Sequence, residues 1–304
     1  MIPNIRIIPV IAVLLFLGCR GKTDPKQVED HSKTEQKNDS EDTSVSSELD
    51  SLLIEIKSTV EAGDWPKAKQ LISKGQRIAE NGGPGMELKN AALLLELGNV
   101  ERENNREPEA RRHYTDAMAI FHVHKYAKGS FEAFLAMAML EARRGDYVAA
   151  ERQLAEAEAL LPSLGDPVQK GIFKLHTGRL ASRRLKNKEA YEDFLEARRI
   201  FEEADNKTAM AESLLLLANE EDALNRGAEC TRSLDKALKI YRLLEDPAGE
   251  VRTLHRLAGL AERDEKYNRA RQLLKEVLAL YDKLDQQSAA AKVRRHLNAL
   301  PEEE

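Results

Sequence analysis

Apolar and small residues return along most of this chain at a fixed step. Ala110, Ala150, Ala190, Cys230 and Ala270 stand 40 residues apart. Four residues after each come Tyr114, Leu154, Phe194, Leu234 and Leu274. Seven after come Ala117, Ala157, Ala197, Ala237 and Val277, and eleven after come Phe121, Leu161, Phe201, Tyr241 and Tyr281. Twelve before each lie Gly98, Ala138, Gly178, Ala218 and Ala258. An earlier copy at slightly longer spacing holds Ala68, Ile72, Ile78 and Ala79, preceded by Gly63-Asp64-Trp65. Columns that keep one register over five units mark a repeat array, in which no unit buries its apolar face alone.

Within each unit the apolar residues are 3, 4 and 7 apart, which is the spacing of an amphipathic helix. Each unit contains two. Turns are expected at Gly63-Asp64, Asn104-Asn105, Gly145-Asp146, Lys186-Asn187, Asn225-Arg226-Gly227 and Asp264-Glu265. Asp166-Pro167 and Asp246-Pro247 read as an N-cap followed by Pro in the first helical turn. Asn81-Gly82-Gly83-Pro84-Gly85 is the clearest breaker and accounts for the longer first spacing.

Gly145-Asp146-Tyr147-Val148-Ala149-Ala150 resembles the turn and second-helix start of a tetratricopeptide repeat. Ala138, Leu154, Ala157 and a helix-closing Pro162 fit the same pattern, and the period is similar to the longer variety of that repeat. The resemblance covers about residues 49–300. It departs at Ile56, where the first repeat should carry Gly or Ala, and at Cys230 and Val277, which stand in Ala columns. What it implies is an all-α, right-handed α-solenoid of about six helix-pair repeats plus a C-terminal capping helix from about Gln287 to Ala299. It also implies that the first helix of each pair lines a concave surface that binds protein or peptide partners.

The amino terminus has a different character. Arg6 precedes an apolar run of 11 residues, Ile7 to Leu17, interrupted only by Pro9. That is too short for a membrane span of about 20 residues and suits a signal-peptide core. Leu15-Phe16-Leu17-Gly18-Cys19 resembles the bacterial lipoprotein lipobox. The resemblance implies cleavage after residue 18 and fatty acylation, palmitate included, at Cys19, giving a membrane anchor. Arg20, rather than Asp, follows the Cys. By the enterobacterial sorting rule this implies the periplasmic face of the outer membrane rather than the inner one. Residues 20–48 hold five basic and eight acidic residues, with Val28 and Val45 the only large aliphatics. Such a segment buries too little apolar surface to order itself. Residues 19–48 therefore read as a lipidated disordered tether, and 301–304 as a short acidic tail.

The formal net charge of −5 lacks the basic excess of a nucleic-acid binder. Two cysteines make no disulfide framework. No Gly-rich phosphate loop, H-E-x-x-H or C-x-x-C occurs, so no cofactor or metal is implied. Ser233-Leu234-Asp235-Lys236 matches S-x-x-K without its companion motifs and reads as an exposed helix surface beside a core Leu. His122 and His124, at i and i+2, do not share a helix face. Cys230 reads as a small core residue, with a regulatory thiol as the other possibility.

The register places Asn99, Met139, Arg179, Asn219 and Gly259 along the centre of the concave face, with Glu103, Arg143, His176, Arg183, His255, Arg256 and Arg263 beside them. Two readings stay open. These are solvated side chains paired with i±4 acids, such as Glu262 near Arg263, or they form a groove for an acidic, carboxylate-bearing peptide, a task suited to the planar arginine fork. Leu135, Leu175 and Leu215 offer an apolar contact instead. The expected function is a non-enzymatic, membrane-anchored scaffold of the bacterial envelope, in outer-membrane or pilus assembly. The alternative is a small-ligand or peptide-binding accessory subunit of an envelope transporter.

Overall fold

The computed structural model describes residues 45–60, 63–82 and 85–302. The expected signal peptide, Cys19, the tether up to residue 44 and the last two residues of the tail lie outside them. The described residues form thirteen helices and no strand. These are α1 (45–60), α2 (Trp65–Asn81), α3 (Glu87–Glu103), α4 (Glu107–Val123), α5 (Ala127–Arg143), α6 (Tyr147–Leu164) and α7 (Pro167–Arg183). They continue with α8 (Asn187–Glu203), α9 (Lys207–Ala223), α10 (Gly227–Leu243), α11 (Pro247–Arg263), α12 (Tyr267–Lys283) and α13 (Gln287–Ala299). Consecutive helices pack on each other, and the odd-numbered α3, α5 and α7 also touch along one row. The result is an α-solenoid of six helix pairs closed by α13, as the columns require.

Side chains and backbone share the work of ending the helices. Asp64, Asp146, Asp166, Asn206 and Asp246 each accept a first-turn backbone N–H at 2.9–3.2 Å, a cap worth about 1 kcal/mol. The turns themselves turn on a residue with positive φ: Asn105, Lys125, Gly145, Gly165, Leu185, Asp205, Asn225, Glu245, Glu265 and Asp285. Two expectations are corrected here. The turn expected at Lys186-Asn187 is centred on Leu185, at φ 59°, and Asn187 already begins α8. Leu185 is an uninformative turn residue, yet the 40-residue register fixes the turn where Gly145 stands one repeat earlier. Pro162 does not close α6 either. The helix runs on to Leu164 and ends at Gly165, whose φ is 64° and whose N–H reaches the Leu161 carbonyl.

A complementarity of size sets the distance between paired helices. A Cβ added to Gly98 would lie 2.4 Å from the Tyr114 ring, and one added to Gly178 would lie 2.5 Å from the Phe194 ring. The aromatic ring of the even helix thus occupies the space that a methyl group would need. Where the small residue is Ala138, Ala218 or Ala258, the partner position holds Leu154, Leu234 or Leu274, and all six are buried. The first pair departs as the sequence suggested: Ile56 and Ile72 are both fully buried in one cluster. A second set works alike, with Phe121 over Gly129, Phe201 over Gly171 and Tyr241 over Gly249. Each such ring removed from water contributes roughly 1.5–3 kcal/mol.

The ends show what the columns missed. Gly75, seven residues after Ala68, is the small residue of the first pair, with Leu93 and Leu52 against it. Ile78 is only half-buried. Helix α1 includes residues 45–48, which lie inside the segment expected to be disordered. The reason is apolar: Val45 packs against the first core cluster and approaches Gly82. At the far end Arg271 donates to the carbonyls of Leu300 and Pro301 at 2.9 and 2.5 Å, tying the chain down after α13.

This packing makes a directional prediction. Gly178→Ala should cost about 1–3 kcal/mol by overpacking, whereas Gly259→Ala, with open space around it, should be neutral or gain up to about 1 kcal/mol of helix propensity. In a Phe194→Leu background, the Gly178→Ala cost should vanish. Urea unfolding of the four variants measures the coupling, and an equal cost in both backgrounds would contradict the size rule.

Candidate functional site

The inner row of odd helices carries two cavities. The smaller, about 500 Å³, is lined from α3, α5, α7 and α9, with Phe194 of α8. Met139, Arg143, His176, Arg179, Arg183 and Asn219, six residues picked out by register, line it together. Arg102, which the sequence reading passed over, joins them. It precedes Glu103, one column away from the residues followed. Four arginines face two glutamates, Glu103 and Glu220, among the lining residues. The larger cavity, about 1100 Å³, is lined mainly from α9 to α12 and contains Asn219, His255 and Arg256. Ser58 of α1 lines it as well, so the array curves far enough for its first helix to approach its later repeats.

Three of the expected groove residues, Asn99, Gly259 and Arg263, lie elsewhere. Asn99 lines neither cavity: its Oδ1 accepts the Tyr114 hydroxyl at 2.9 Å, and its amide donates to Glu96 at 3.1 Å. It satisfies a buried phenol, whose ionisation burial opposes. Arg263 lines neither and pairs with Asp222 at 2.6 Å. The expected i+4-type partner is wrong in kind, because Glu262 instead meets His296 at 3.0 Å. Gly259 is exposed beside open space. Leu135 and Leu175 are core residues, and only Leu215 reaches a cavity.

The arginines of the row differ in what holds them. Arg143 donates to the Arg102 carbonyl at 2.9 Å and to Asn105, and lies 3.8 Å from Glu103. Arg179 is paired with Glu212 of α9. These acids come from the adjoining repeat, 33–41 residues away, not from the same helix face. Half-exposed pairs of this kind contribute about 0–1 kcal/mol each, and they link neighbouring repeats. Arg183 and Arg256 are exposed and make no ion pair among the described residues. Of the expected groove residues, these are the cations available to a ligand; Arg252, over the Tyr241 ring, adds a further exposed cation to the larger cavity.

His176 is not a third cation. Its Nδ1 is buried without a hydrogen-bond partner among the described residues. Burial first, then the charges of Arg179 and Arg102, hold its pKa well below the ordinary imidazole value. His255, whose ring lies 6.2 Å from that of Tyr281, is also shifted down by burial.

The remaining candidates resolve into structure. Ser233 is buried rather than exposed. His122 and His124 are exposed, and no group of three metal-ligating side chains occurs among the described residues. Cys230 is fully buried, and burial pushes its thiol up to about 11, away from the reactive thiolate.

No family model matches the chain. It is similar to the regulatory protein RapG of Bacillus subtilis (strain 168), 30% identical over 146 residues, which is 48% of this chain and 40% of that protein. The chain thus spans less than half the length of the curated relative it matches. A solved Rap protein complexed with competence and sporulation factor is similar at a TM-score of 0.60 and 15% identity, over 81% of this chain and 72% of that one. A signal-transduction ATPase with a tetratricopeptide repeat sensor from Pyrococcus horikoshii is similar at a TM-score of 0.58 and 13% identity, over 78% of this chain and 36% of that one. What these structures share with the chain is the fold, an array of tetratricopeptide-like helical repeats.

The neutral His176 predicts a pH dependence. An unfolded histidine takes up its proton near pH 6.5, while the folded His176 does so only at much lower pH. Stability is therefore indifferent to this group above pH 6.5 and falls below it, by at most about 1.4 kcal/mol per pH unit. Urea unfolding at pH 7.5 and 5.5 should show a smaller loss in His176→Gln than in the wild type. Equal losses would mean that His176 is solvated and charged in the fold.

Proposed function

We propose that this chain is a lipid-anchored binding protein of the bacterial envelope that holds an acidic segment of a partner protein in its smaller cavity. One observation carries the reading: Arg183, unpaired and exposed, opens into a cavity it shares with Arg102, Arg143 and Arg179. A carboxylate seated there gains charge-assisted hydrogen bonds worth roughly 1.5–3 kcal/mol each. That a Rap protein of similar fold has been solved in complex with a factor supports the use of such an array for binding. The anchor rests on Cys19 and the apolar run before it. The acylated amino terminus places the array at a membrane surface, with the outer membrane favoured by Arg20. A second reading, a small amphipathic ligand, draws on the larger cavity, where Leu215, Leu216, Tyr241, Val251 and Tyr281 stand among Arg252, His255 and Arg256.

Two measurements test the proposal. Fluorescein-labelled hexaglutamate should bind the purified array, hexaglutamine should not, and Arg183→Glu should weaken hexaglutamate binding at least about tenfold, or 1.4 kcal/mol. Binding should also fade as salt rises past physiological strength. An unchanged affinity in Arg183→Glu, with a flat salt response, would remove the acidic-segment reading and leave the amphipathic-ligand one. Separately, Cys19→Ser should move the protein from the membrane pellet to the soluble fraction. A variant that stays in the pellet would show that the uncleaved apolar run, or a partner, anchors it.

A further inference from the structure

Between the two cavities stands one ion pair. Arg179 of α7 lines the smaller cavity, and Glu212 of α9 lines the larger. Leu216 and Asn219, further along α9, line both. The cavities are thus neighbours, and the Arg179–Glu212 contact lies where they adjoin.

This pair is open to exchange. Its side chains keep 32% and 46% of their exposure, so water and ions compete with it, and its strength is at the low end for ion pairs. Arg179 has no other acid partner among the described residues. Arg143, by contrast, is held by a carbonyl and an amide as well as by Glu103. Glu212 has somewhere else to go. Arg252 and Arg256 line its own cavity, and Arg256 makes no ion pair among the described residues.

We propose that Glu212 is an internal competitor for the anion site: it occupies Arg179 while the groove is empty, and an acidic ligand displaces it toward Arg252 and Arg256. This rests on the acidic-segment reading and adds a rule of selection to it. A single carboxylate exchanged for that of Glu212 gains little at Arg179, because one anion replaces another. A ligand with adjacent carboxylates seats one at the unpaired Arg183 and uses the next to displace Glu212. Released, Glu212 no longer bridges α7 and α9, and the two cavities become one groove that follows the inner row from α3 to α12. The chain therefore favours runs of acidic residues over isolated ones.

Titration of the full folded array with fluorescein-labelled hexaglutamate tests this. Glu212→Gln should tighten binding about two- to fivefold, the share of Arg179 that the pair withholds. The gain should be absent when Glu212→Gln is made together with Arg179→Gln. Glu212→Ala should tighten binding too, so that the result does not depend on one replacement. Unchanged or weaker binding in Glu212→Gln overturns the competitor, as does a gain that persists without Arg179, which would be a general charge effect. Arg183→Glu, measured in parallel, separates the two ideas. If it loses binding while Glu212→Gln gains nothing, the acidic-segment reading stands and the competitor falls. If it binds as the wild type does, both fall.

Discussion

The contact between a small residue on each odd helix from α3 to α11 and a large one on its even partner is the constraint on which the rest depends. Gly98 under Tyr114 and Gly178 under Phe194 leave no room for a methyl group, and Ala138 and Leu154 are buried in one cluster with a different division of volume. Interiors at crystal-like density tolerate little change in that sum. Because the contact recurs every 40 residues, it fixes the rotation of every helix about its own axis. The face that each odd helix turns inward follows from it.

That inward face is where chemistry becomes possible. Residues 40 apart on the odd helices fall in rows, so Glu103, Arg143 and Arg183 succeed one another along one side of the groove. Between neighbouring odd helices an acid on one repeat meets a base on the next, as Asp222 meets Arg263 and Glu262 meets His296. The chain is slightly acidic overall, yet the smaller cavity has two more arginines than glutamates. His176, whose Nδ1 is buried, stays neutral at its wall because of that burial and of the nearby Arg179 and Arg102 guanidinium groups. The positive field is therefore made by the arginines that the pairing leaves over.

Much of the fold is legible in the sequence because its signal is repeated. One alanine says little, but a column of small residues repeated five times at equal spacing fixes the helices, their order and the extent of α13. What the sequence hid was local. Leu185 holds a left-handed turn that its own chemistry disfavours, and Gly75 hides behind the more conspicuous Ile78. The acid partners of Arg179 and Arg263 could not be read from i±4 spacing, because they arise only when repeats stack. Asn99 shares the central column with Met139 but is taken by the Tyr114 hydroxyl, a bond that exists only because its repeat carries Tyr where the next carries Leu154. Register thus locates the face, while pairing across repeats decides which of its charges remain available.

The most direct test of the account watches the arginines themselves. Side-chain Nε–Hε resonances, assigned by substitution, report on each guanidinium during a titration with unlabelled hexaglutamate. Those of Arg183 and Arg179 should shift together and saturate at one affinity, while exposed Arg199, paired with Glu203 on the far side of α8 from the core, stays still. Hexaglutamine should move none of them. Shifts spread evenly over Arg183, Arg199 and other surface arginines would show that the acid meets the array as a diffuse charge and that the cavity is not its site.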